Sequence, residues 1–392
     1  MNMVKKKSLT RVQEEKKPEV YDVGLESSNS KTVIVSAVLE TTGQIRFGDG
    51  TEVNLTITEK DLLPVLKKTD GGYKTDFIEK VVFAGSKRRG VDRRAIHLLR
   101  NRYISSYSAC YIPNLCLKCP SCWLYGATAM GEADYNIKSR VLYAAAYSVE
   151  PSEIAVVSHS RNMVDEKTHA TAGEAGIHEE EFIKGGIHFP TVTVLDHVVD
   201  WEIGMFAHAL IENVNQNKYT AASGRQGGIK FADANGKKLI VVDISPEGIF
   251  PIETVKVSAE ITGYDKVVQY YKDAINLDKI KEMFKTQGFG VQNKDKMIEV
   301  KKNDKLVWKI IANEDELSVV QVTNKKEKEL MKRIFGDKAY GYLKEKAEEF
   351  RQFLQNFKGE KWALTHENIL RSLGVEEKKV EAERGEEPEE SS

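Results

Sequence analysis

The chain has 392 residues, of which 30% are charged and 41% apolar, with a formal net charge of −1. A chain of this length buries enough surface to hold a core without disulfides, and two or three domains are expected. No run approaches the ~20 apolar residues of a membrane helix, and no apolar segment of a secretion signal follows the charged N-terminus. We therefore expect a cytoplasmic protein with no membrane partner.

The net charge hides an asymmetry between the two ends of the chain. Residues 376–392 hold eight acidic and three basic residues. Without this net charge of −5 the rest of the chain carries +4, so its body is mildly basic. An acidic end that is poor in apolar residues predicts a disordered tail, which we place at residues 374–392.

The first predicted elements are two strands and a helix. Residues 1–30 are polar and are predicted to be flexible. Lys31–Glu40 is β-branched and apolar, which is typical of a buried strand, and Lys80–Ser86 is a shorter strand that ends at a Gly-Ser turn. Residues 91–107 then carry apolar side chains at helical spacing.

The middle of the chain alternates between predicted strands and helices. Residues 139–150 predict a strand or a short buried helix, residues 153–158 and 187–196 strands, residues 201–215 an amphipathic helix, and residues 238–244 another strand. Residues 159–186 are rich in Gly, Ala, Thr and His, and so long a connection inside a domain is typically functional.

The composition changes near Tyr264, after which lysine and glutamate increase and glycine decreases. Residues 296–322 predict three short antiparallel strands, and residues 326–357 predict a helix. We assign residues 31–263 to a core and residues 264–373 to a separate C-terminal α/β module. Because no long regular βαβ units occur, the expected fold class is α+β and not a doubly wound sheet.

All four cysteines lie within thirteen positions: Cys110, Cys116, Cys119 and Cys122. The two-residue gaps of C-x2-C-x2-C let a tight turn direct several sulfurs at one ion, and the prolines nearby interrupt regular structure. Thiols in the cytoplasm are usually reduced, so clustered cysteines indicate a metal before a disulfide. Four thiolates complete a tetrahedral, structural zinc site with no open position.

Three alternatives remain for this cluster. His97 could replace Cys110 as the fourth ligand. An iron–sulfur cluster is the second alternative, since C-x2-C-x2-C also opens ferredoxin motifs, although here the fourth cysteine precedes the other three. The simplest alternative is a set of buried free thiols.

A basic stretch precedes the cysteines, with seven lysines or arginines and one aspartate in residues 85–102. Arg93, His97 and Arg100 recur on one helix face, and the residues before them occupy a turn whose exposed amides also suit phosphate. The pattern predicts nucleic-acid binding, against the alternative of a solvated helix face. The candidate residues are Ser86, Lys87, Arg88, Arg89, Arg93 and Arg94.

A glycine-rich stretch, SGRQGG at residues 223–228, matches neither a P-loop nor a Rossmann fingerprint. Glycines let a backbone approach a ligand closely, and the alternative is an ordinary helix-to-strand turn. The candidate ligand-binding residues are Gly224, Arg225, Gly227, Gly228 and Lys230. No HExxH, GxSxG or catalytic Cys/His pattern occurs, so no self-contained enzyme site is indicated.

In their order, these pieces resemble the RAMP superfamily, specifically the Cas seven family of CRISPR effector backbone subunits. The resemblance covers residues 31–260. It rests on a Gly-Ser-Lys turn, a Cys-x-Leu-x-Gly and Ser-Arg-Val stretch, a thumb-like segment and the closing glycine loop, with Ala84 where proline is usual. The matching residues are Gly85, Ser86, Lys87, Cys122, Leu124, Gly126, Ser139, Arg140, Val141, Asp165, Thr168 and Ala172. The cysteine knuckle and the C-terminal extension point most to the type I-D backbone subunit.

The resemblance implies a ferredoxin-like (RRM-like) palm with two inserted segments, a zinc knuckle at residues 105–135 and a thumb at residues 159–186. It implies a chain that oligomerises along guide RNA (crRNA) in antiviral defence, with Arg140 among the RNA-binding residues. Further copies of the chain, other type I-D effector subunits, and target DNA or RNA that pairs with the guide are the implied partners.

Two other functions stay open. Related backbones of type III complexes cut the target strand with an acidic residue and a divalent metal, and the candidate acids here are Asp49, Asp70, Asp76 and Asp165, unless these are ordinary loop aspartates. The other is a zinc-stapled RNA-binding protein outside CRISPR. Because no local pattern selects one aspartate, we expect a protein without catalytic residues of its own.

Overall fold

The computed structural model describes residues 19–47, 55–56, 58–103, 110–128, 135–162, 166–170, 177–220, 227–257, 260–324 and 326–375. Outside these residues lie Asp49, Asp165, Gly224, Arg225 and residues 376–392 of the predicted tail. The chain divides into two compact units. One is Val23–Phe357, and the other combines Met1–Asp22 with Lys358–Ser392.

The described strands are β1 (Lys31–Thr41), β2 (Leu55–Thr56), β3 (Lys60–Thr69), β4 (Gly72–Phe83), β5 (Val141–Tyr143), β6 (Ala146–Pro151), β7 (Val156–Asn162), β8 (Ile177–Ile183), β9 (His188–Val198), β10 (Ile229–Phe231), β11 (Asp233–Ala234), β12 (Lys237–Lys238), β13 (Ile240–Ser245), β14 (Gly290–Lys294), β15 (Met297–Lys302), β16 (Lys305–Asn313), β17 (Glu316–Thr323) and β18 (Lys326–Phe335). The described helices are α1 (Gly85–Tyr103), α2 (Pro120–Tyr125), α3 (Ser152–Ala155), α4 (Asp200–Asn215), α5 (Tyr264–Asp273), α6 (Leu277–Thr286), α7 (Gly336–Gln355) and α8 (Gly359–Ser372).

A large antiparallel sheet organises the unit Val23–Phe357. Its strand order is β14-β15-β16-β17-β18-β13-β1-β9-β5, and β10 pairs with the end of β1. The β-branched and apolar run predicted as a buried strand forms β1, which is buried from Val33 to Leu39. The architecture is therefore mixed α/β with antiparallel sheets. This confirms the predicted α+β class as far as the mixture of helices with antiparallel sheets is concerned.

Helices α1, α4 and α7 contribute side chains to one hydrophobic core with β1 and β9. Helices α4 and α7 can approach closely because Gly204 has no side chain. A Cβ atom at this position would lie 2.1 Å from the carbonyl oxygen of Lys346. The rings of Trp201 and Phe353 stack beside this crossing with centroids 4.3 Å apart. Among the helices of the described ranges, none is long and apolar enough to cross a membrane.

Two hairpins lie before and after α1 in the chain. Strands β3 and β4 pair antiparallel along their length, down to Thr69 opposite Gly72, in a region for which the sequence predicts no strands before Lys80. Strands β7 and β8 pair antiparallel and overlap the segment predicted as the thumb, and β8 also pairs parallel with β2. Residues 139–150, for which helix and strand were both open, form β5 and most of β6.

The helix predicted at residues 326–357 is wrong in its first third. Lys326–Phe335 forms β18, and the helix begins only at Gly336. Strand β18 pairs with β17 on one side and with β13 on the other. Burial of side chains such as Met331 in the sheet outweighs the helix propensity of the lysines and glutamates around them.

The second unit contains α8 and the chain around Tyr21. The Tyr21 amide donates to Thr365 Oγ1 at 2.9 Å, and the Lys358 amide donates to the Tyr21 hydroxyl at 2.7 Å. Trp362 is fully buried beside the Tyr21 ring, with centroids 6.2 Å apart. These contacts hold α8 against a segment more than 300 positions earlier in the chain.

The burial of His208 on α4 predicts a pH dependence of stability. Burial lowers the pKa of His208 from its ordinary 6.5 to about 4, so the unfolded state takes up a proton between these pH values before the folded state does. The free energy of unfolding should therefore fall as the pH drops from 6.5 to 4, by up to about 3 kcal/mol from this group. Urea unfolding at pH 7 and pH 4.5 measures this effect. Between these pH values, the free energy of unfolding of His208→Gln should fall less than that of the unchanged chain. The control His197→Gln changes an exposed histidine, and its free energy of unfolding should fall as much as that of the unchanged chain. An equal drop in His208→Gln would contradict this assignment.

Candidate metal centre and nucleic-acid interface

The four cysteines converge on one point in the structure. Their sulfur atoms all lie within 4.8 Å of one another. The Cys110–Cys122, Cys116–Cys122 and Cys110–Cys119 sulfur pairs are 3.4, 3.9 and 3.7 Å apart. Around an ion with metal–sulfur bonds of ~2.3 Å, the sulfurs of a tetrahedron lie about 3.8 Å apart. The cluster thus has the dimensions of a site for one tetrahedral metal ion.

Local sequence explains why these sulfurs meet. Pro120 opens α2, and the first turn of this helix brings Cys122 back towards Cys119, whose carbonyl accepts from the Cys122 amide at 3.0 Å. The Cys119 amide donates to Cys116 Sγ at 3.3 Å. Gly126 ends α2 with φ of 80°, and a Cβ atom there would lie 2.7 Å from the Ser139 nitrogen. A side chain at this position would push the knuckle off the body of the protein.

The four sulfurs do not ionise equally in the absence of an ion. Hydrogen bonds from Cys116 first, and then from Cys119 and Cys122, lower the pKa of the Cys110 thiol well below its ordinary value. The hydrogen bonds that Cys119 and Cys122 make with Cys110 raise the pKa of those two thiols. A set of four sulfurs this close to one another fits a single ion, because the irons of a polynuclear iron–sulfur cluster hold their cysteines further apart. His97 is not needed as a ligand, since Cys110 completes the set and the His97 ring receives a hydrogen bond from Arg93 at 3.3 Å.

The predicted binding residues on α1 differ in their exposure. Ser86, Arg89 and Arg94 are exposed. Lys87 is partly exposed and pairs with Glu59 at 2.9 Å. Arg88 and Arg93 are buried. Among the predicted residues of α1, the exposed set of Ser86, Arg89 and Arg94 can therefore meet a phosphate directly.

The buried arginines of the predicted RNA-binding set have protein partners. Arg88 donates to the Ala144 carbonyl and lies over the rings of Phe83 and Tyr143. Arg140 donates to both carboxylate oxygens of Glu202. With 3% and 6% of their surfaces exposed, these two side chains serve the fold, and their predicted RNA contacts stay predictions.

Arg93 is also buried, and its guanidinium faces the cysteine cluster. Its Nη2 lies 3.2 Å from Cys122 Sγ, and its Nη1 donates to the carbonyl of Gly126. Helical spacing with His97 predicted that Arg93 lies on a nucleic-acid-binding face of α1. In the structure this face, at Arg93, lies against the four-cysteine cluster.

Asp92 was not among the predicted site residues, and it forms a buried polar network under α1. Asp92 is fully buried and accepts hydrogen bonds from Tyr143, Tyr219 and Asn213. Burial raises its pKa, and these hydrogen bonds and nearby Arg88 act in the opposite direction. One feature of the sequence could have indicated a special role for Asp92: it is the one acidic residue among seven basic residues in positions 85–102.

The glycine-rich stretch is described from Gly227 onward, and its end packs against a neighbouring loop. A Cβ atom at Gly227 would lie 2.4 Å from the Gly43 backbone, and one at Gly228 would lie 1.9 Å from Asn217 Oδ1. The Gly228 amide donates to Thr42 Oγ1 at 2.9 Å. Lys230 is half exposed and pairs with Glu40 at 3.1 Å. Glycine is thus required here for packing within the protein.

The acids proposed for a nuclease site do not gather where the structure describes them. Asp70 lies in the exposed β3–β4 turn, and Asp76 pairs with Lys67, whose hydrogen bond lowers the pKa of that carboxyl. Apart from the cysteines, the described ranges contain no group of three or more Asp, Glu, His or Cys residues with closely placed ligand atoms. Asp49 and Asp165 lie outside these ranges.

Three similar chains among solved structures come from CRISPR proteins. The chain is similar to Csc2 of Thermofilum pendens, with 12% identity, a TM-score of 0.42 and coverage of 89% of this chain and 92% of that one. It is also similar to a chain of the Csm3–Csm4 subcomplex of the type III-A CRISPR-Cas interference complex, with 14% identity, a TM-score of 0.29 and coverage of 55% and 80%. A chain of a CRISPR RNA-guided surveillance complex gives 13% identity, a TM-score of 0.37 and coverage of 64% and 84%.

No curated protein matches the chain. The model of the Csc2 CRISPR family matches residues 58–318, which is more than half of the sequence. The matched region contains both the cysteine knuckle and the basic helix α1. The chain therefore belongs to the Csc2 CRISPR family.

Proposed function

We propose that this chain is a non-catalytic, guide-RNA-binding backbone subunit that oligomerises along crRNA in a type I-D CRISPR interference complex. The observation that carries the proposal is the exposed set of Ser86, Arg89 and Arg94 on α1 in a member of the Csc2 CRISPR family. Membership of this family argues against an RNA-binding protein outside CRISPR.

The topology of the sheet supports a ferredoxin-like palm. Strands β13, β1, β9 and β5 are adjacent in that order, and helices α1 and α4 follow β1 and β9 in the chain. Counted in sequence as strands one to four, this is the order 4-1-3-2 of a ferredoxin-like sheet. Strands β2 to β4 form the insertion before α1, and the β7–β8 hairpin forms the insertion that we propose as the thumb.

The chemistry of α1 suits RNA binding without sequence preference. Two exposed guanidinium groups and a hydroxyl can grip phosphates, which carry no sequence information. Base pairing between guide and target then supplies specificity, with the protein reading shape and backbone. We propose zinc for the four-cysteine centre, where it would stabilise the knuckle beside α1.

Replacing the exposed set by alanine (Ser86→Ala, Arg89→Ala, Arg94→Ala) should weaken single-stranded RNA binding to a similar degree for unrelated sequences. The slope of log affinity against log salt should become shallower by about 0.7 for each phosphate that the variant no longer neutralises. Fluorescence anisotropy with two unrelated RNAs over a range of salt concentrations measures both effects.

A matched control removes two exposed lysines from distant strands of the sheet, Lys305→Ala and Lys326→Ala. It changes the net charge by the same amount as the triple variant, so general electrostatic attraction is accounted for. We expect it to retain the affinity and most of the slope. An equal loss of RNA affinity in both variants, or no loss in the triple variant, would show that the exposed set on α1 does not form the RNA interface.

Sequencing the RNA that co-purifies with the protein from its native host tests the function as a whole. Short RNAs with one constant, repeat-derived end and variable remainder are expected. Heterogeneous RNA, or none, would contradict guide binding. Magnesium-dependent cuts at regular intervals along a bound target strand would instead favour a nuclease.

A further inference from the structure

Arg93 belongs to the basic helix, yet its side chain contacts the cysteine knuckle. Only 6% of the residue is exposed. The guanidinium reaches Cys122 Sγ at 3.2 Å, the Gly126 carbonyl, and His97 Nε2 at 3.3 Å. Through this one side chain, α1 contacts a metal-ligand candidate and the last turn of α2 together.

Charge explains why an arginine is buried there. The guanidinium stays protonated in proteins, and an unpaired buried charge is strongly destabilising. Its two other acceptors, the Gly126 carbonyl and the His97 imidazole, carry no negative charge. Four thiolates around one Zn²⁺ carry a net charge of −2, so the metal-loaded cluster supplies the negative charge that a buried guanidinium requires.

We propose that Arg93 is a positioning residue that holds the Cys122 thiolate in the metal-loaded centre and thereby couples metal retention to the packing of α1. The hydrogen bond to Cys122 Sγ offsets the excess negative charge of the site, and the bond to Gly126 fixes the backbone that follows the ligand. This proposal depends on the proposed zinc centre and is independent of RNA binding.

The test compares variants of the full chain for metal affinity. Arg93→Met should lower Zn²⁺ affinity by about 10- to 100-fold, the usual effect of losing a residue that supports a metal ligand. Arg93→Lys should lie between Arg93→Met and the unchanged chain, since it restores the charge without the planar fork. Arg94→Met, a matched loss of charge at the exposed neighbour on α1, should leave the affinity unchanged. Competition with a chromophoric chelator gives the affinities.

Cobalt substitution provides a readout that a general loss of stability would not move. The Co²⁺–thiolate absorption bands should shift in Arg93→Met, because one ligand loses its hydrogen bond, and stay in place in Arg94→Met. Unchanged zinc affinity and unchanged cobalt bands in a folded Arg93→Met protein would overturn the proposal.

Hydrogen exchange on the unchanged chain keeps the proposal testable if Arg93→Met does not fold. Removal of the metal with a chelator should speed amide exchange in α1 around Arg93 as well as in α2. Exchange that rises in α2 alone would overturn the coupling. These readouts contain no RNA, so failure of the proposed guide binding would leave them interpretable.

Discussion

Replacement of Arg140 by methionine is expected to lower the free energy of unfolding by about 3–5 kcal/mol, because it leaves a buried carboxylate without its partner. Arg140 donates to both oxygens of Glu202, which is fully buried. It also donates to the Trp123 carbonyl at 3.2 Å and to the His197 carbonyl at 2.6 Å. Urea unfolding at neutral pH measures the loss.

The double variant Arg140→Met with Glu202→Leu separates the ion pair from the packing around it. Removing both charges should recover part of the lost stability, since apolar groups that replace a buried ion pair are often neutral or stabilising. Recovery will be incomplete because Glu202 also accepts from the Gly24 and Val199 amides, at 3.1 Å each. A cost below about 1 kcal/mol for Arg140→Met would show that the pair is not buried as described, since that is the range of exposed pairs.

Serine in place of Cys119 should abolish metal retention and destabilise the knuckle. Cys119 is fully buried, and a structural zinc site contributes on the order of 10 kcal/mol or more in small domains. The unchanged chain should purify with one zinc per molecule by elemental analysis, whereas Cys119→Ser should purify with little. Because protons compete with the metal ion for the ligand thiolates, the unchanged chain should also release its metal as the pH falls.

Chelation provides the control for this prediction. A strong chelator should lower the melting temperature of the unchanged chain and have little further effect on Cys119→Ser. Equal effects on both proteins would mean that the chelator acts elsewhere. A coloured preparation with strong visible absorption and bound iron would contradict zinc and favour an iron–sulfur centre.

Some elements of this protein can be predicted from the sequence because they depend on residues close together in the chain. The spacing of Cys116, Cys119 and Cys122 is enough to predict a knuckle, since a tight turn brings side chains three positions apart onto one ion. The run Lys31–Glu40 predicts a buried strand for a similar reason, because its β-branched residues suit an extended chain with both faces covered. The order of the weak motifs indicated the family to which the chain belongs.

The sheet beyond these local signals was decided by contacts between distant segments. Helix propensity over residues 326–335 favours a helix, but pairing with β13 and β17 makes the segment β18. A strand gains its stability from neighbours far away in sequence, which no short window contains.

The roles of the basic residues were likewise decided in three dimensions. A sequence shows that Arg89, Arg93, Arg94 and Arg140 are cationic, and helical spacing groups some of them on one face. It does not show which face meets solvent, because that depends on whether the knuckle, α4 or open solvent lies opposite. The tertiary structure places Arg89 and Arg94 at the surface and directs Arg93 to a sulfur and Arg140 to a buried carboxylate, since a buried guanidinium is stable only where the fold supplies an acceptor for its charge.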